Sequence, residues 1–289
     1  MDSSSDRRAA LGVFDHGSAP ARGSAFDELA PAYDASFSAT ALGTRLRALV
    51  WQRLETALAG CRRVLEIGCG TGDDAIHLAG RGLEVLATDA SSAMVRLAVT
   101  KAEAAKAAAA GGARGLEFRC VPMERLGAEL AGQTFDGVFS NFGAVNCAYR
   151  LDQVIADVAT LLRPGAPLVW VVMGRHVPWE WAWLLARGDW RNAFRRSRPG
   201  GVAWRGLQIS YPTPASLERA LCPHFAPVSR HALGIVLPPT YASAWLERSP
   251  RALSALLRVE RALQRCQPLA ALSDHYVFEA RRLPVARRD

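Results

Sequence analysis

Val64–Gly72 (VLEIGCGTG) is the stretch that decides the fold of this chain. The first four residues, Val64 to Ile67, form the pattern of a short buried strand, and glycines stand at alternate positions directly after them. Because glycine adopts positive φ and carries no Cβ, it lets the backbone approach a ligand closely. A strand, a glycine-rich turn and a helix place free backbone N–H groups beside a nucleotide-like group. The stretch therefore predicts a βα unit with a ligand site at its turn.

A second acidic position follows at a spacing that fits such a site. The apolar run 83–88 predicts another strand, and Asp89 closes it 17 residues after Gly72. In an α/β sheet, a carboxylate at the tip of the second strand is the expected partner of ribose hydroxyls. The two strands and their tips therefore predict one binding site at the carboxyl edge of a sheet.

These residues resemble the first two motifs of class I S-adenosylmethionine-dependent methyltransferases. The first motif is an acid followed by Gly-x-Gly-x-Gly, and the second is an acid that closes strand two. This chain matches them with the following residues: Glu66, Gly68, Gly70, Gly72 and Asp89. A dinucleotide-binding unit instead has the spacing Gly-x-Gly-x-x-Gly, and here the third glycine comes one residue early. A tight turn without a ligand is the other alternative.

The resemblance implies an α/β fold with a Rossmann-like, seven-stranded, mostly parallel sheet and an antiparallel last strand. Hydrophobic patterning predicts these strands: 62–67, 83–88, 116–121, 135–140, 168–172, 225–236 and 275–281. Helices are predicted between them at 73–80, 91–108, 151–162 and 214–221. Residues 1–23 are predicted to be a disordered tail, and 24–289 a methyltransferase domain. Helical lid insertions are expected at about 174–205 and 238–268, after strands five and six.

For the cofactor S-adenosylmethionine, the resemblance implies a set of binding residues at the strand tips. The glycine loop is expected to lie against the methionine and ribose part, Asp89 to accept from both ribose hydroxyls, and Ala90 and Met94 to flank the adenine. Pro122 stands where the family commonly has Asp, which leaves Met123 and the Glu124 backbone for contact. Packing and turn formation are the alternatives for Met123 and Asn141. The full predicted set is Glu66, Gly68, Cys69, Gly70, Thr71, Gly72, Asp89, Ala90, Met94, Met123, Glu124, Ser140 and Asn141.

Catalytic residues are harder to name, because methyl transfer from a sulfonium mainly needs alignment and exclusion of water. A general base is needed only when the nucleophile is still protonated at neutral pH. The catalytic candidates are Tyr33, Asn141, His176 and His275. The candidates for acceptor binding are Phe142, Asn146, Trp179, Trp183 and Tyr211. Trp179 and Trp183 are four residues apart and share a helix face, whereas Trp181 points elsewhere. Structural histidines, and tryptophans that pack in the insertion or at a dimer contact, are the alternatives.

Charge and composition narrow the classes of partner. The formal net charge is +8, with 35 basic and 27 acidic residues. In the densest basic cluster, at 187, 191, 195, 196 and 198, the residues 187, 191, 195 and 198 recur at helical spacing and predict a solvated helix face. The Asn-Pro-Pro-Tyr signature of methyltransferases that act on nucleic-acid amino groups is absent, so nucleic acid is not the expected partner. No apolar run reaches the roughly 18 residues of a membrane span, and the N-terminus lacks a signal pattern, so we expect a cytoplasmic protein without a membrane partner. The six cysteines lack metal-ligand spacing and predict free thiols and no metal site.

The sequence thus predicts an S-adenosylmethionine-dependent methyltransferase acting on O or N of a small, aromatic or apolar organic acceptor in specialised metabolism. A ubiquinone-type or carrier-bound acyl acceptor is a variant of this hypothesis. The alternatives are an RNA or protein methyltransferase that uses the Arg-rich lid, and a non-catalytic cofactor-binding partner subunit. The expected assembly is a monomer or homodimer.

Overall fold

The computed structural model describes residues 24–108, 115–238, 246 and 248–284. The predicted tail over residues 1–23 lies outside the described residues. Residues 239–245 and 247 of the second predicted insertion also lie outside them. Every predicted site residue falls within the described ranges.

A seven-stranded sheet forms the centre of the structure, in the order β3-β2-β1-β4-β5-β9-β8. Its members are β1 (Arg63–Ile67), β2 (Glu84–Asp89), β3 (Leu116–Cys120), β4 (Gly137–Ser140), β5 (Pro167–Met173), β8 (Phe225–Leu233) and β9 (His275–Arg282). The first five strands pair in parallel, and β9 runs antiparallel to both of its neighbours. The predicted fold class is confirmed in the sheet, including the single antiparallel strand. A separate hairpin consists of β6 (Val202–Trp204) and β7 (Leu207–Ile209).

Helices cover both faces of the sheet and extend from its carboxyl edge. The α-helices are α1 (Ser24–Asp27), α2 (Ala30–Tyr33), α3 (Ala41–Ala57), α4 (Asp73–Gly80), α5 (Ser92–Ala108), α6 (Leu126–Glu129), α7 (Leu151–Leu161), α8 (Pro178–Leu185), α9 (Trp190–Ala193), α10 (Pro214–Leu221) and α11 (Pro250–Leu263). A π-helical turn spans Asp34–Ser38, and 3₁₀ turns span Met123–Arg125, Ala144–Cys147, Arg195–Ser197 and Gln267–Leu272. No helix of the described residues is both long and apolar enough to cross a membrane.

The central strand β5 explains why the sheet is sandwiched between two apolar layers. Leu168, Trp170 and Val172 belong to one buried cluster, whereas Val169 and Val171 belong to the other. Successive residues of a strand point to opposite faces, so both faces of β5 are covered. A continuously apolar run is typical of such a parallel strand. The strand tips at the carboxyl edge are thereby fixed for the site.

Two strands are shorter than the sequence predicts, for local physical reasons. β4 begins at Gly137 rather than at 135, because Phe135 makes only an isolated bridge, to Leu162. β8 ends at Leu233 rather than at 236. The next three amides, at 234–236, donate to the buried carboxylate of Glu260 at 2.8–3.1 Å instead of to a neighbouring strand.

The insertion after β5 is less regular than the basic spacing predicts. The row of arginines does not lie on one helix, because Gly188 adopts a φ of 72° between α8 and α9. The prediction of one continuous helix face is therefore wrong, whereas the predicted exposure holds for three of the four arginines at helical spacing. Arg187 and Arg191 are exposed, whereas the Arg196 side chain is buried, with 8% of its surface exposed. The chain turns inward at this point and then forms the β6–β7 hairpin.

Candidate functional site

A cavity of about 450 Å³ opens at the carboxyl ends of the parallel strands. Ligands of open α/β sheets bind in this crevice. Its walls come from strand tips, the N-terminal helices and the β6–β7 hairpin. The lining residues are Phe26, Tyr33, Gly68, Gly70, Asp89, Ala90, Met94, Met123, Glu124, Asn141, Phe142, Gly143, Ala144, Cys147, Met173, Arg195, Val202, Trp204, Leu207, Ile209 and Tyr211.

The glycine loop after β1 forms one wall of the cavity. Gly68 and Gly70 have φ values of 71° and 53°, in the left-handed region that favours glycine. A Cβ at position 68 would lie only 2.2 Å from the Cβ of Ala144. The backbone can therefore follow this path only without a side chain, which leaves a cradle that a ligand can approach closely.

Other predicted loop residues lie behind that wall rather than on it. The Thr71 hydroxyl donates to Asp34 at 2.6 Å, and Gly72 adopts a φ of 83° at the start of α4. Cys69 is buried, with 8% of its surface exposed. Glu66 is buried too, and burial raises the pKa of its carboxyl well above the usual value. These four residues support the loop and do not line the cavity.

Asp89 closes β2 and lies on the cavity wall. One carboxylate oxygen accepts from the Gly70 amide at 2.9 Å, and the other accepts from the Ser91 amide at 2.8 Å. Burial raises the pKa of Asp89 above its usual value, against the opposing effect of these hydrogen bonds. Ala90 and Met94 line the cavity beside it. The carboxylate is thus fixed by backbone while its face remains in the cavity.

The tip of β4 carries a polar side chain with unused hydrogen-bonding groups. Asn141 is 6% exposed and lines the cavity, and neither its amide nitrogen nor its amide oxygen has a partner among the described residues. Such buried, unsatisfied groups are costly and call for an explanation. A polar ligand in the cavity supplies one. Ser140, by contrast, is buried, and its hydroxyl donates to the Ile67 carbonyl at 2.7 Å.

Phe142 follows Asn141 with a φ of 47°, an uncommon value for a bulky residue. Its ring contacts Phe37 edge to face at 4.9 Å between centroids, and the Arg47 guanidinium lies 4.9 Å from the ring centre. Strained backbone of this kind clusters at functional sites when its surroundings hold it in place. The ring lines the cavity at the junction between the strand tips and the region beyond β5.

The far part of the cavity is formed by the hairpin and the N-terminus. Val202 and Trp204 of β6 and Leu207 and Ile209 of β7 line it, with Tyr211 directly beyond. The Phe26 ring packs against Trp204 at 5.4 Å. The sequence reasoning missed Cys147, Arg195 and Trp204 as lining residues. A signal for the hairpin exists in the alternation of 202–209 around Arg205-Gly206, both at positive φ, which suits a two-residue turn.

Two catalytic candidates lie on the cavity and two do not. Tyr33 lines it, and burial raises the pKa of its phenol to about 12. His275 is outside the lining: its Nδ1 lies 3.0 Å from the Asp274 carboxylate, and its ring contacts Phe142 from outside the lining. His176 is also outside, with its ring edge to face against Trp181. No histidine of the described residues lines this cavity.

Three predicted acceptor residues are likewise directed elsewhere. Asn146 is fully buried, and its side-chain amide is used by backbone: Nδ2 donates to the Ser210 carbonyl at 2.7 Å, and Oδ1 accepts from the Met173 amide at 2.9 Å. Trp179 and Trp183 share a face of α8 and contact each other edge to face at 6.4 Å. Neither lines the cavity, because β6 and β7 stand at that wall.

A buried ionic cluster fixes the insertion to the sheet. Glu180 of α8 is 1% exposed and pairs with both Arg195 and Arg196, the latter at 2.8 Å. Arg196 also pairs with Asp274 at 2.8 Å, just before β9. Burial would raise the pKa of Asp274, but the charges of His275 and Arg196 hold it well below its usual value. The cluster therefore holds Arg195 at the cavity.

The cysteines form no disulfides among the described residues. All six cysteines are free thiols, and burial raises the pKa of Cys147 on the cavity wall to about 12. Within the residues that the structure describes, no group of three or more His, Cys, Asp or Glu side chains is arranged to hold a metal ion.

Known proteins match this chain in sequence and in fold. Residues 64–165 match the family described as "Methyltransferase domain". The chain is 34% identical over 209 residues to the demethylmenaquinone methyltransferase of Thermus thermophilus, covering 67% of this chain and 87% of that protein. It is 31% identical over 125 residues to the ubiquinone biosynthesis O-methyltransferase of Acinetobacter baylyi, covering 41% of this chain and 46% of that protein.

Among solved structures, the CcbJ methyltransferase from Streptomyces caelestis aligns with a TM-score of 0.58 at 19% identity, over 94% of this chain and 100% of that one. That likeness supports the fold, and the sequence match to the Thermus protein extends over most of its length. The chain therefore belongs to the class I S-adenosylmethionine-dependent methyltransferases, enzymes that use S-adenosylmethionine as the methyl donor.

Proposed function

We propose that this enzyme methylates O or N of a small aromatic or apolar organic acceptor, which binds in the far part of the cavity. The observation that carries the proposal is the wall made by Val202, Trp204, Leu207 and Ile209. Apolar and aromatic side chains with a few polar groups are typical of small-molecule sites. The β6–β7 hairpin then covers the acceptor, whereas α8, whose Trp179 and Trp183 do not line the cavity, does not.

The strand-tip part of the cavity fits S-adenosylmethionine, which supplies a methyl group activated on a positively charged sulfur. Gly68 and Gly70 give the room for close approach, because a side chain at 68 would overlap Ala144. We propose that Asp89 accepts from the ribose hydroxyls, and that Ala90 and Met94, which line the cavity beside it, give apolar contact. The unpartnered amide of Asn141 is available to polar groups of the same ligand.

The chain's own contribution to the reaction is orientation and exclusion of water. Tyr33 and Cys147 line the cavity, but burial raises the pKa of both groups to about 12, so at neutral pH each stays protonated. Since no histidine of the described residues lines the cavity, we propose that no dedicated histidine base acts here. Tyr33 and Asn141 then position the reactants by contact.

The names of the relatives agree with a small aromatic acceptor. They refer to demethylmenaquinone and to ubiquinone biosynthesis. Quinone-type rings are planar and apolar, as the far wall requires. We therefore propose a quinone-like or similar ring as the acceptor class, in preference to RNA or protein.

The test is the destination of a labelled methyl group. The enzyme is incubated with S-adenosylmethionine carrying a radioactive methyl and a cell extract, which is then separated into organic-solvent, RNA and protein fractions. We expect label in the organic-solvent fraction only. Label in RNA or protein would support an alternative that uses the exposed arginines, and no label in any fraction would support a non-catalytic partner subunit. Enzyme boiled beforehand is the control.

A further inference from the structure

The charged groups on the cavity wall are separated by sign. Asp89 and Glu124 line the part beside β2 and β3, whereas Arg195 lines the part beyond β5. Arg195 is the only Lys, Arg or His among the described lining residues. β2 and β5 are three strand intervals apart, which corresponds to about 14 Å at the usual strand spacing. The cavity is therefore acidic at its cofactor end and basic at its far end.

The guanidinium of Arg195 has hydrogen-bonding capacity left over. It pairs with the Glu180 carboxylate, and its Nη1 donates to the Asn192 carbonyl at 3.3 Å. A guanidinium carries five N–H donors, so further donors remain. The side chain keeps 25% of its surface exposed and is part of the cavity wall.

The same ionic cluster fixes the position of this guanidinium. Glu180 is shared between Arg195 and Arg196, and Arg196 is in turn paired with Asp274, which directly precedes β9. Both carboxylates of the cluster are buried away from the cavity surface, at 1% and 15% side-chain exposure. The cluster thus directs a preorganised cation at the ligand, a geometry that favours binding of an anionic oxygen.

We propose that Arg195 determines acceptor specificity by binding an ionised oxygen of the acceptor, a carboxylate or a phenolate. This rests on the proposed small-molecule function. A guanidinium beside an acidic hydroxyl favours the ionised form, so the acceptor binds already ionised, with its proton released to solvent, and needs no base in the wall. An anion between Arg195 and the positively charged methyl donor also replaces a repulsion between like charges with two attractions.

The test measures charge preference directly, by calorimetric titration of enzyme saturated with S-adenosylhomocysteine. The probes are 1-naphthoate, its neutral counterpart 1-naphthamide, and 1-naphthol at several pH values. We expect 1-naphthoate, or ionised 1-naphthol, to bind about tenfold more tightly than 1-naphthamide. The two anions distinguish the two sources of the charge. Arg195→Gln should abolish the preference, and Arg195→Lys should retain part of it.

A matched control is Arg187→Gln, since Arg187 lies in the same insertion but stacks on Trp183 outside the cavity. It should leave the preference unchanged, and S-adenosylhomocysteine affinity should be the same in all variants, which shows that they fold. Three results would overturn the proposal. The unmodified enzyme could bind the anions and the amide equally, it could bind neither anion, or its preference for the anion could survive Arg195→Gln. If labelled methyl is still found in the organic-solvent fraction in those cases, the proposed function holds and only the role of Arg195 is refuted. Label in RNA or protein refutes both proposals.

Discussion

The two ends of the cavity differ in how far apart their wall residues lie in the sequence. At the cofactor end, the wall residues Gly68, Gly70, Asp89 and Met94 come from consecutive elements. The Gly70 amide donates to the Asp89 carboxylate and so joins two of these elements. At the far end, the wall combines Phe26, Arg195 and the β6–β7 hairpin, which are up to 183 residues apart. The contacts there are ring packing and a buried ionic cluster.

The difference teaches where this fold is rigid and where it is adaptable. A cofactor site on strand tips and a glycine turn depends on backbone geometry, which the sheet fixes. An acceptor site on an insertion depends on side chains whose substitution does not disturb the sheet. One donor can therefore be kept while the acceptor wall varies, as loops on a rigid scaffold allow.

The largest expected effect on stability comes from removing the Glu180 carboxylate, which Arg195 and Arg196 share. Glu180→Ala leaves Arg195 without its carboxylate and Arg196 with only Asp274, and breaking a buried pair in this way costs about 3–5 kcal/mol. We expect the free energy of unfolding to fall by the lower part of that range. Chemical denaturation measures it, with the exposed Glu103→Ala as the control. A change below 1 kcal/mol would mean that the cluster does not stabilise the insertion.

Gly68→Ala tests the cofactor end through backbone alone. The left-handed φ costs about 1–2 kcal/mol for a residue with a Cβ. The steric overlap of the new Cβ with Ala144 costs about 1–3 kcal/mol more. Gly60→Ala is the matched control, since Gly60 has a φ of 83° but nothing within 4 Å of its Cβ position. We expect the Gly68 variant to lose more stability and also cofactor affinity. Equal losses in the two variants would remove the argument for a close cradle.

Asp89→Ala should weaken S-adenosylhomocysteine binding by about 2–4 kcal/mol, because two hydrogen bonds to a charged acceptor are lost. Burial raises the pKa of the Asp89 carboxyl. As the pH drops through that raised value, the carboxylate is protonated, so the affinity of the unmodified enzyme for S-adenosylhomocysteine should fall. Calorimetry across acidic pH measures both effects. Asp152→Ala, an exposed change on α7, should do neither. A pH-independent affinity would show that Asp89 does not bind the ribose.

The smallest expected effect separates the lining tryptophan from the others. Trp204→Ala should weaken 1-naphthoate binding about tenfold, the loss of a modest interface contact. Trp183→Ala should change it less than twofold, because Trp183 packs against Trp179 and Arg187 outside the cavity. Fluorescence titration measures both affinities. A larger loss in the Trp183 variant would restore the original lid prediction and refute the wall described above.

The sequence locates much of the wall at the strand tips because its signals there are local, although Glu66, Cys69 and Thr71 lie behind that wall. Gly68, Gly70 and Asp89 fall within 22 residues, and they follow the short apolar runs that predict β1 and β2. The far end has weaker signals. β6 and β7 have only three residues each, so their alternation is a weaker signal than that of a longer strand. Arg195 follows Arg191 and Arg187 at helical spacing, and only the break at Gly188 reveals that it leaves that face. Asn146 is polar like a ligand-binding residue, but its partners are distant backbone groups.

The pairing of β5 with β9 has a consequence for biosynthesis. Met173 of β5 pairs with His275, about 100 residues later in the chain. While the protein emerges from the ribosome, the outer edge of this apolar strand is unpaired until β9 has been made. Unpaired edges of apolar strands template aggregation, and domains are built from the N-terminus. The long segment between β5 and β9, which includes the β6–β7 hairpin of the cavity wall, therefore lengthens the interval in which the nascent sheet needs protection.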